Sequence, residues 1–247
     1  MQRDVTLVLG TDGTGKTTLA DRLSHRGNRV LILDAGFSQF RAENCADIDA
    51  AAKRLGELRA FGTSAPFRIS FTPLPDEIDL AFLLARDLGD CTVVAEEADR
   101  FRTMGPWQTD YIYRGRHWGV SIIAVTIQPY ALPKDLRRIV REVFAYRMTE
   151  ESDIEYLAGI VGDAAYSVPS LRGPGKNSSP PYDHLHWEVG NEAKIIYPRG
   201  APRARAGANS VDASAGGERA LPSSGGESPG DDMQAPAAGD IPEESLD

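Results

Sequence analysis

The chain has 247 residues, of which 41% are hydrophobic and 26% charged, and its formal net charge is −9. Its two cysteines, Cys45 and Cys91, are too few and too isolated for a disulfide framework or a zinc module, and are expected to be core thiols in a reducing compartment. The longest apolar runs, such as Val120–Ile127, are far too short to cross a bilayer, and no signal peptide is evident, so a soluble, cytoplasmic protein without a membrane anchor is expected.

The acidity is unevenly spread. From Ala201 to Asp247 the composition turns to Ala, Gly, Ser, Pro and acids, without one aromatic residue, and nine acids face three arginines there. That leaves only −3 for residues 1–200. Such a segment cannot bury enough apolar surface to offset its ordering entropy. The expected organisation is therefore one α/β domain over 1–200 and a disordered acidic tail over 201–247.

In chain order, Val5–Leu9 is an apolar strand. Directly after it, Gly10-Thr11-Asp12-Gly13-Thr14-Gly15-Lys16-Thr17 is a complete G-x-x-x-x-G-K-T phosphate-binding loop, and Thr17–Arg26 reads as the helix that such a loop opens. Leu19, Ala20 and Leu23 form its apolar face, and Gly27 is a stop. Arg29–Leu33 is a short buried strand ending at Asp34. Asn44–Phe61 reads as a helix through Ile48, Ala51, Ala52 and Leu55, Phe67–Phe71 as a strand, and Asp76–Leu88 as a helix with an Ile78/Phe82/Ala85 stripe. Cys91–Ala95 is a further apolar strand, followed at once by Glu96 and Glu97. Thr109–Trp118 is helical, and Val120–Thr126 is a β-branched strand.

Near-continuous apolar strands between amphipathic helices predict a mostly parallel central sheet covered by helices, with the site at the carboxyl ends of the strands. Gly10, Asp34, Glu96 and Thr126 all fall at such ends. The loop's glycines let backbone N–H groups converge on one point, and the next helix directs its positive end there. Gly10, Thr11, Asp12, Gly13, Thr14, Gly15, Lys16, Thr17 and Thr18 are thus candidate ATP-binding residues. Lys16 reaches the β- and γ-phosphates, and Thr17 ligates Mg²⁺. After the acidic strand, Glu96 takes the metal side and Glu97 is the candidate general base for an attacking water.

Further on, Arg114-Gly115-Arg116-His117-Trp118-Gly119 leads into the β-branched strand, then Ile127-Gln128-Pro129 and Leu136-Arg137, then Val143-Phe144-Ala145-Tyr146-Arg147-Met148 and Glu151-Ser152-Asp153-Ile154. With the phosphate loop and the acidic pair, this ordered set resembles the FtsK/HerA superfamily of DNA-translocating P-loop ATPases, which includes viral genome-packaging and zonula-occludens-toxin-like phage ATPases. The likeness runs over roughly Val5 to Leu157. It implies Mg²⁺-dependent ATP hydrolysis coupled to DNA movement by a homo-oligomeric ring, most simply phage or viral genome packaging on double-stranded DNA. It also implies a capsid or portal partner, in the host cytoplasm or with the virion. Arg116 takes the place of an arginine that reaches a neighbour's γ-phosphate, with Arg114 as the close alternative, and Thr126 that of a sensor. The usual sensor Gln position is held by Ile127, with Gln128 one residue later, so either a bulge brings Gln128 in or Thr126 senses alone.

Two other functions stay open. The loop sequence and Asp99-Arg100-Phe101 also resemble thymidylate kinase, and slow hydrolysis could serve an ATP-dependent assembly switch. His184 and His186 form an H-x-H without an evident third ligand, and Arg137, Arg138, Arg141 and Arg147 lie near Lys134 either along a DNA path or on the solvent face of an amphipathic helix.

Overall fold

Five consecutive buried residues, Val5–Leu9, form β1; a run without alternation is buried on both faces only inside a covered parallel sheet. The computed structural model describes residues 4–36, 40–60, 62, 64–102, 105–175 and 181–198, without the side chains of Phe101, Arg102 and Arg116. The expected tail over 201–247 and the domain boundary at 200 lie outside the described residues. After β1 come α1 (Lys16–Ser24), β2 (Arg29–Leu33), β3 (Glu43–Asn44), α2 (Ile48–Ala60), β4 (Phe67–Phe71), α3 (Ile78–Leu88) and β5 (Thr92–Ala95). Then follow α4 (Pro106–Arg114), β6 (Ser121–Thr126), β7 (Glu142–Ala145), α5 (Glu151–Val161), β8 (His184–Glu188) and β9 (Lys194–Ile196).

The nine strands of the described residues make one sheet in the order β3-β4-β2-β5-β6-β1-β7-β8-β9. Strands β1 to β7 pair in parallel, whereas β8 and β9 add antiparallel at one edge. This is the mostly parallel, helix-covered α/β sheet that the sequence predicts. Alternate side chains sort to two layers. Val5, Leu7 and Leu9 of β1 face one way, with Leu31, Ile69, Phe71 and Val93, and meet α2 to α5 through Leu55, Phe82, Tyr111 and Leu157. Val8 faces the other way, with Val30, Ile32, Val94 and Val125, and meets α1 through Ala20 and Leu23.

Element ends differ from expectation where contacts distant in sequence intervene. The helix expected from Asn44 begins at Ile48, because Glu43 and Asn44 pair with Ile69 and Ser70 of β4. The Asp47 side chain then accepts the Ala50 N–H at 2.8 Å and caps α2. Helix α4 starts earlier than expected, at Pro106, where proline's missing N–H costs nothing. Asp79 of α3 accepts the Trp107 and Gln108 N–H groups at 3.0 and 2.9 Å, which fastens the two helices together. The arginines after β6 do not sit on an amphipathic helix: Lys134–Ile139 is a 3-10 segment, with Arg137 stacked 4.5 Å from the Tyr156 ring centroid.

The connections set the polarity of the molecule. The phosphate loop, Asp34, Glu96, Thr126 and Arg147 follow the carboxyl ends of β1, β2, β5, β6 and β7. The 3-10 turn Gly115–His117 and Arg141 come before the amino ends of β6 and β7, at the opposite ends of the strands. No helix among the described residues is long and apolar enough to cross a membrane.

Candidate nucleotide site

The phosphate loop depends on glycine backbone. Gly10, Gly13 and Gly15 have φ of 146°, 73° and 88°, values that residues with a Cβ rarely adopt. A Cβ on Gly10 would also lie 2.6 Å from the Cβ of Tyr146, just past β7. The loop is moored to that strand's end, since the Thr11 N–H and hydroxyl both donate to the Arg147 carbonyl, at 3.3 and 3.4 Å. Inside the loop, the Thr14 hydroxyl donates to the Thr11 carbonyl at 2.8 Å. Thr11, Asp12 and Gly13 are exposed at the rim, and Thr18 is exposed on the first turn of α1.

Lys16 opens α1 and is buried, with Nζ donating to the Thr11 carbonyl at 2.9 Å and standing 3.9 Å from Asp12. Burial lowers its pKa, while Asp12, Glu96 and Asp99 oppose the shift. A desolvated ammonium at the positive end of a helix is arranged to exchange its backbone acceptor for phosphate oxygens.

Strand β5 delivers Glu96, whose N–H continues the ladder to the Leu33 carbonyl at 3.1 Å. Its carboxylate is buried and takes a hydrogen bond from Thr17, yet its Oε1 is shut from solvent with no hydrogen-bond partner. Desolvation raises the Glu96 pKa; the Thr17 bond opposes it, Asp34 adds to it, Lys16 opposes it and Glu97 adds to it. A dry carboxylate oxygen lacking a donor, next to a threonine hydroxyl, is the hard oxygen set that a divalent cation completes. The residues present fit Mg²⁺.

Glu97 follows in the left-handed region at φ 48°, a strained setting for a residue with a side chain. Its Oε2 lies 3.1 Å from Arg100 Nε, so the expected base is held in an ion pair with the next turn. Thr126 ends β6, between the phosphate-loop strand and the acidic strand, and pairs with Leu9 in unbroken register. It is buried, donates its hydroxyl to Asp99 Oδ1 at 2.6 Å and accepts the Gln128 N–H at 3.0 Å. Ile127 and Gln128 are exposed, and β6 contains no bulge that would carry Gln128 inward.

The structure therefore brings together Lys16, Thr17, Glu96 and Thr126, and adds Asp99. The sequence offered only a weak signal for Asp99, a carboxylate three residues after Glu96, because its partner is 27 positions away. Arg114 ends α4 with its side chain 72% exposed and 3.3 Å from Asp110. The Arg116 backbone lies in the 3-10 turn Gly115–His117, and its side chain is outside the described residues. Both positions come before the amino end of β6, away from the phosphate loop that follows the carboxyl end of β1.

The histidine pair is packing. His186 stacks on Phe144, with ring centroids 4.4 Å apart, and its Nε2 is 3.1 Å from Glu142 Oε1. His184 packs against Tyr146 at 5.3 Å, and burial lowers its pKa. No group of three or more metal-ligating side chains occurs among the described residues. Cys91 is buried, which pushes its thiol up to about 12, and Cys45 is half-buried.

No protein-family model matches the chain, and no curated protein is similar to it in sequence. Solved structures are similar in fold. The genome-packaging NTPase B204 of Sulfolobus turreted icosahedral virus 2, in complex with AMPPCP, superposes with a TM-score of 0.61 at 16% identity, covering 79% of this chain and 97% of that one. B204 of Sulfolobus turreted icosahedral virus, a DNA-packaging ATPase, gives 0.57 at 16% identity over 80% of this chain and 99% of its own. The pCW3 conjugation coupling protein TcpA, with ATPγS, gives 0.51 at 11% identity over 79% and 60%. With the phosphate loop, the acidic strand and the intervening β6 in one sheet, the chain shares its mostly parallel α/β P-loop fold with these solved NTPases.

Proposed function

We propose that this chain is a Mg²⁺-dependent ATPase whose turnover moves DNA, and that its setting is viral genome packaging. The observation that carries the Mg²⁺–nucleotide part of this reading is the partnerless, buried Glu96 oxygen beside Thr17, at the foot of a glycine-built phosphate loop. The loop N–H groups and Lys16 hold the β- and γ-phosphates. Thr17 and Glu96 hold Mg²⁺, which when bound neutralises phosphoryl oxygens. Glu97 accepts the proton of the attacking water once its pair with Arg100 opens, and Thr126 is the polar group of the sensor strand. The described side chain of Gln128 faces solvent, so we leave it no part in the closed site.

Arg116, or Arg114, serves the site of the next subunit in a ring around double-stranded DNA, with a capsid or portal as docking partner, in the host cytoplasm or on the virion. The fold shared with the B204 packaging NTPases supports this setting. Asp99 and Arg100, which suggested a nucleotide kinase, are engaged within the site, with Thr126 and Glu97 respectively.

The test is ATP hydrolysis by the purified full chain with and without double-stranded DNA, with Lys16→Ala as the blank. DNA is expected to raise turnover severalfold, and Lys16→Ala to lower it by about a hundredfold or more, because the principal phosphate cation is lost. Turnover indifferent to DNA overturns the translocase, and phosphate transfer to a nucleoside monophosphate establishes the kinase instead.

A further inference from the structure

We propose that Asp99 is a positioning residue for hydrolysis: it captures the Thr126 hydroxyl proton, so Thr126 can turn toward a triphosphate only by releasing Asp99. The inference rests on the hydrolase reading above and names a device within that same site.

A threonine hydroxyl has one proton and two lone pairs. In Thr126 the proton goes to Asp99 Oδ1 at 2.6 Å, a length typical of a hydrogen bond to a charged acceptor. A lone pair takes the Gln128 N–H at 3.0 Å. Thr126 is 1% exposed, so water does not compete for either bond. In this arrangement Thr126 has nothing to donate to a phosphate oxygen. Its strand partner is Leu9, the residue before Gly10, which places it against the loop that holds the phosphates.

An incoming γ-phosphate and Asp99 therefore compete for one proton. If the phosphate takes it, Asp99 is left as a half-buried carboxylate close enough to Lys16 for the two charges to interact. The exchange also reaches outward. The Gln128 N–H rides on the Thr126 oxygen, and two residues later the Tyr130 N–H donates to Asp153 of α5 at 3.2 Å. A rotation of Thr126 thus tugs the turn after β6, which Tyr130 ties to α5.

A purely structural staple between the Asp99 turn and β6 predicts something different, and four variants separate the two. Asp99→Asn keeps the shape and an acceptor oxygen but loses the charge. It is expected to lower kcat by about tenfold to a hundredfold, because the carboxylate that Thr126 releases no longer acts on Lys16. At the same time it should tighten ATP binding by about fivefold, because an anion near the phosphates is gone, with ADP affinity little changed. Thr126→Val is expected to lose kcat to a similar degree, and Thr126→Ser to keep it. The double variant Asp99→Asn/Thr126→Val should be no slower than the worse single, since both act through one proton.

Multiplied losses in the double variant, or wild-type kcat in Asp99→Asn, overturn the proposal. So do equal losses of ATP affinity, ADP affinity and melting temperature, which mark a staple. Wild-type protein that binds ATP without turning it over defeats the hydrolase reading separately. The ATP-against-ADP shift of Asp99→Asn then still decides for or against Asp99.

Discussion

At the scale of single residues the site is built against stability. Glu96 and Lys16 are both buried, and burial raises the pKa of the first and lowers that of the second, so folding disfavours each charge that function requires. For Glu96 the folded state holds the proton more tightly than the unfolded chain. Its favourable contribution is complete below the ordinary glutamate value of 4.5 and is lost as the pH rises through the higher folded value. Glu96→Gln retains the shape and an acceptor for Thr17 while removing the ionisation. Without nucleotide, the variant is expected to melt above wild type at neutral pH, by about 2–4 °C for each kcal/mol recovered. The two should converge below the ordinary glutamate value. Calorimetry across pH checks this, and a constant difference at every pH would show that ionisation is not the cause. The same residues divide what the sequence made legible from what it did not. Lys16, Thr17 and Glu96 are readable because one short loop and one strand end hold them. Asp99 is not, because its meaning comes from Thr126, which only the β5–β6 pairing brings alongside.

At the scale of elements, the central buried strands are legible in the sequence, whereas the edge strands β3 and β9 and the helix ends are not. A strand buried on both faces shows as a local apolar run, whereas a helix terminus is fixed by whichever group satisfies its free N–H donors. Helix α4 illustrates this. Its start is set by Asp79, 28 and 29 residues earlier, together with the Gln108 side chain, which accepts the Gly105 N–H at 3.0 Å. Gly105 is required there, since a Cβ would strike the Asp79 carboxylate. Asp79→Ala strands two donors at once and is expected to lose about 1–2 kcal/mol, while Asp79→Asn, still an acceptor, keeps most of the stability. Denaturant titration of both variants is the check, and an unchanged midpoint in Asp79→Ala would mean that α4 is anchored by Tyr111 and Ile112 in the core alone. The consequence is functional because α4 carries Arg114 and runs directly into the Arg116 turn.

At the scale of the whole molecule, the phosphate loop and the candidate arginines at 114 and 116 lie at opposite ends of the strands of one sheet. Strand β6 runs from Ser121 to Thr126, so the turn before it lies about 17 Å from the site after it, at about 3.3 Å per residue. An arginine at 114 or 116 therefore has no route to its own phosphate loop, yet a head-to-tail neighbour would bring one end against the other, the contact from which closed rings are made. This makes complementation decisive. Lys16→Ala has no working phosphate site but keeps its arginine, whereas Arg116→Ala keeps its site and lacks the arginine. Each alone is expected to be nearly inactive. Mixed in equal amounts and allowed to exchange subunits, half of the sites are intact, and half of those meet a neighbour with an arginine. Activity should return to about a quarter of wild type if sites fire independently. Arg114→Ala in the same pairing distinguishes the two candidates. A mixture as inactive as its components, from proteins shown to exchange subunits, would remove both arginines from catalysis and leave them as surface charges, as the Arg114–Asp110 pair by itself allows.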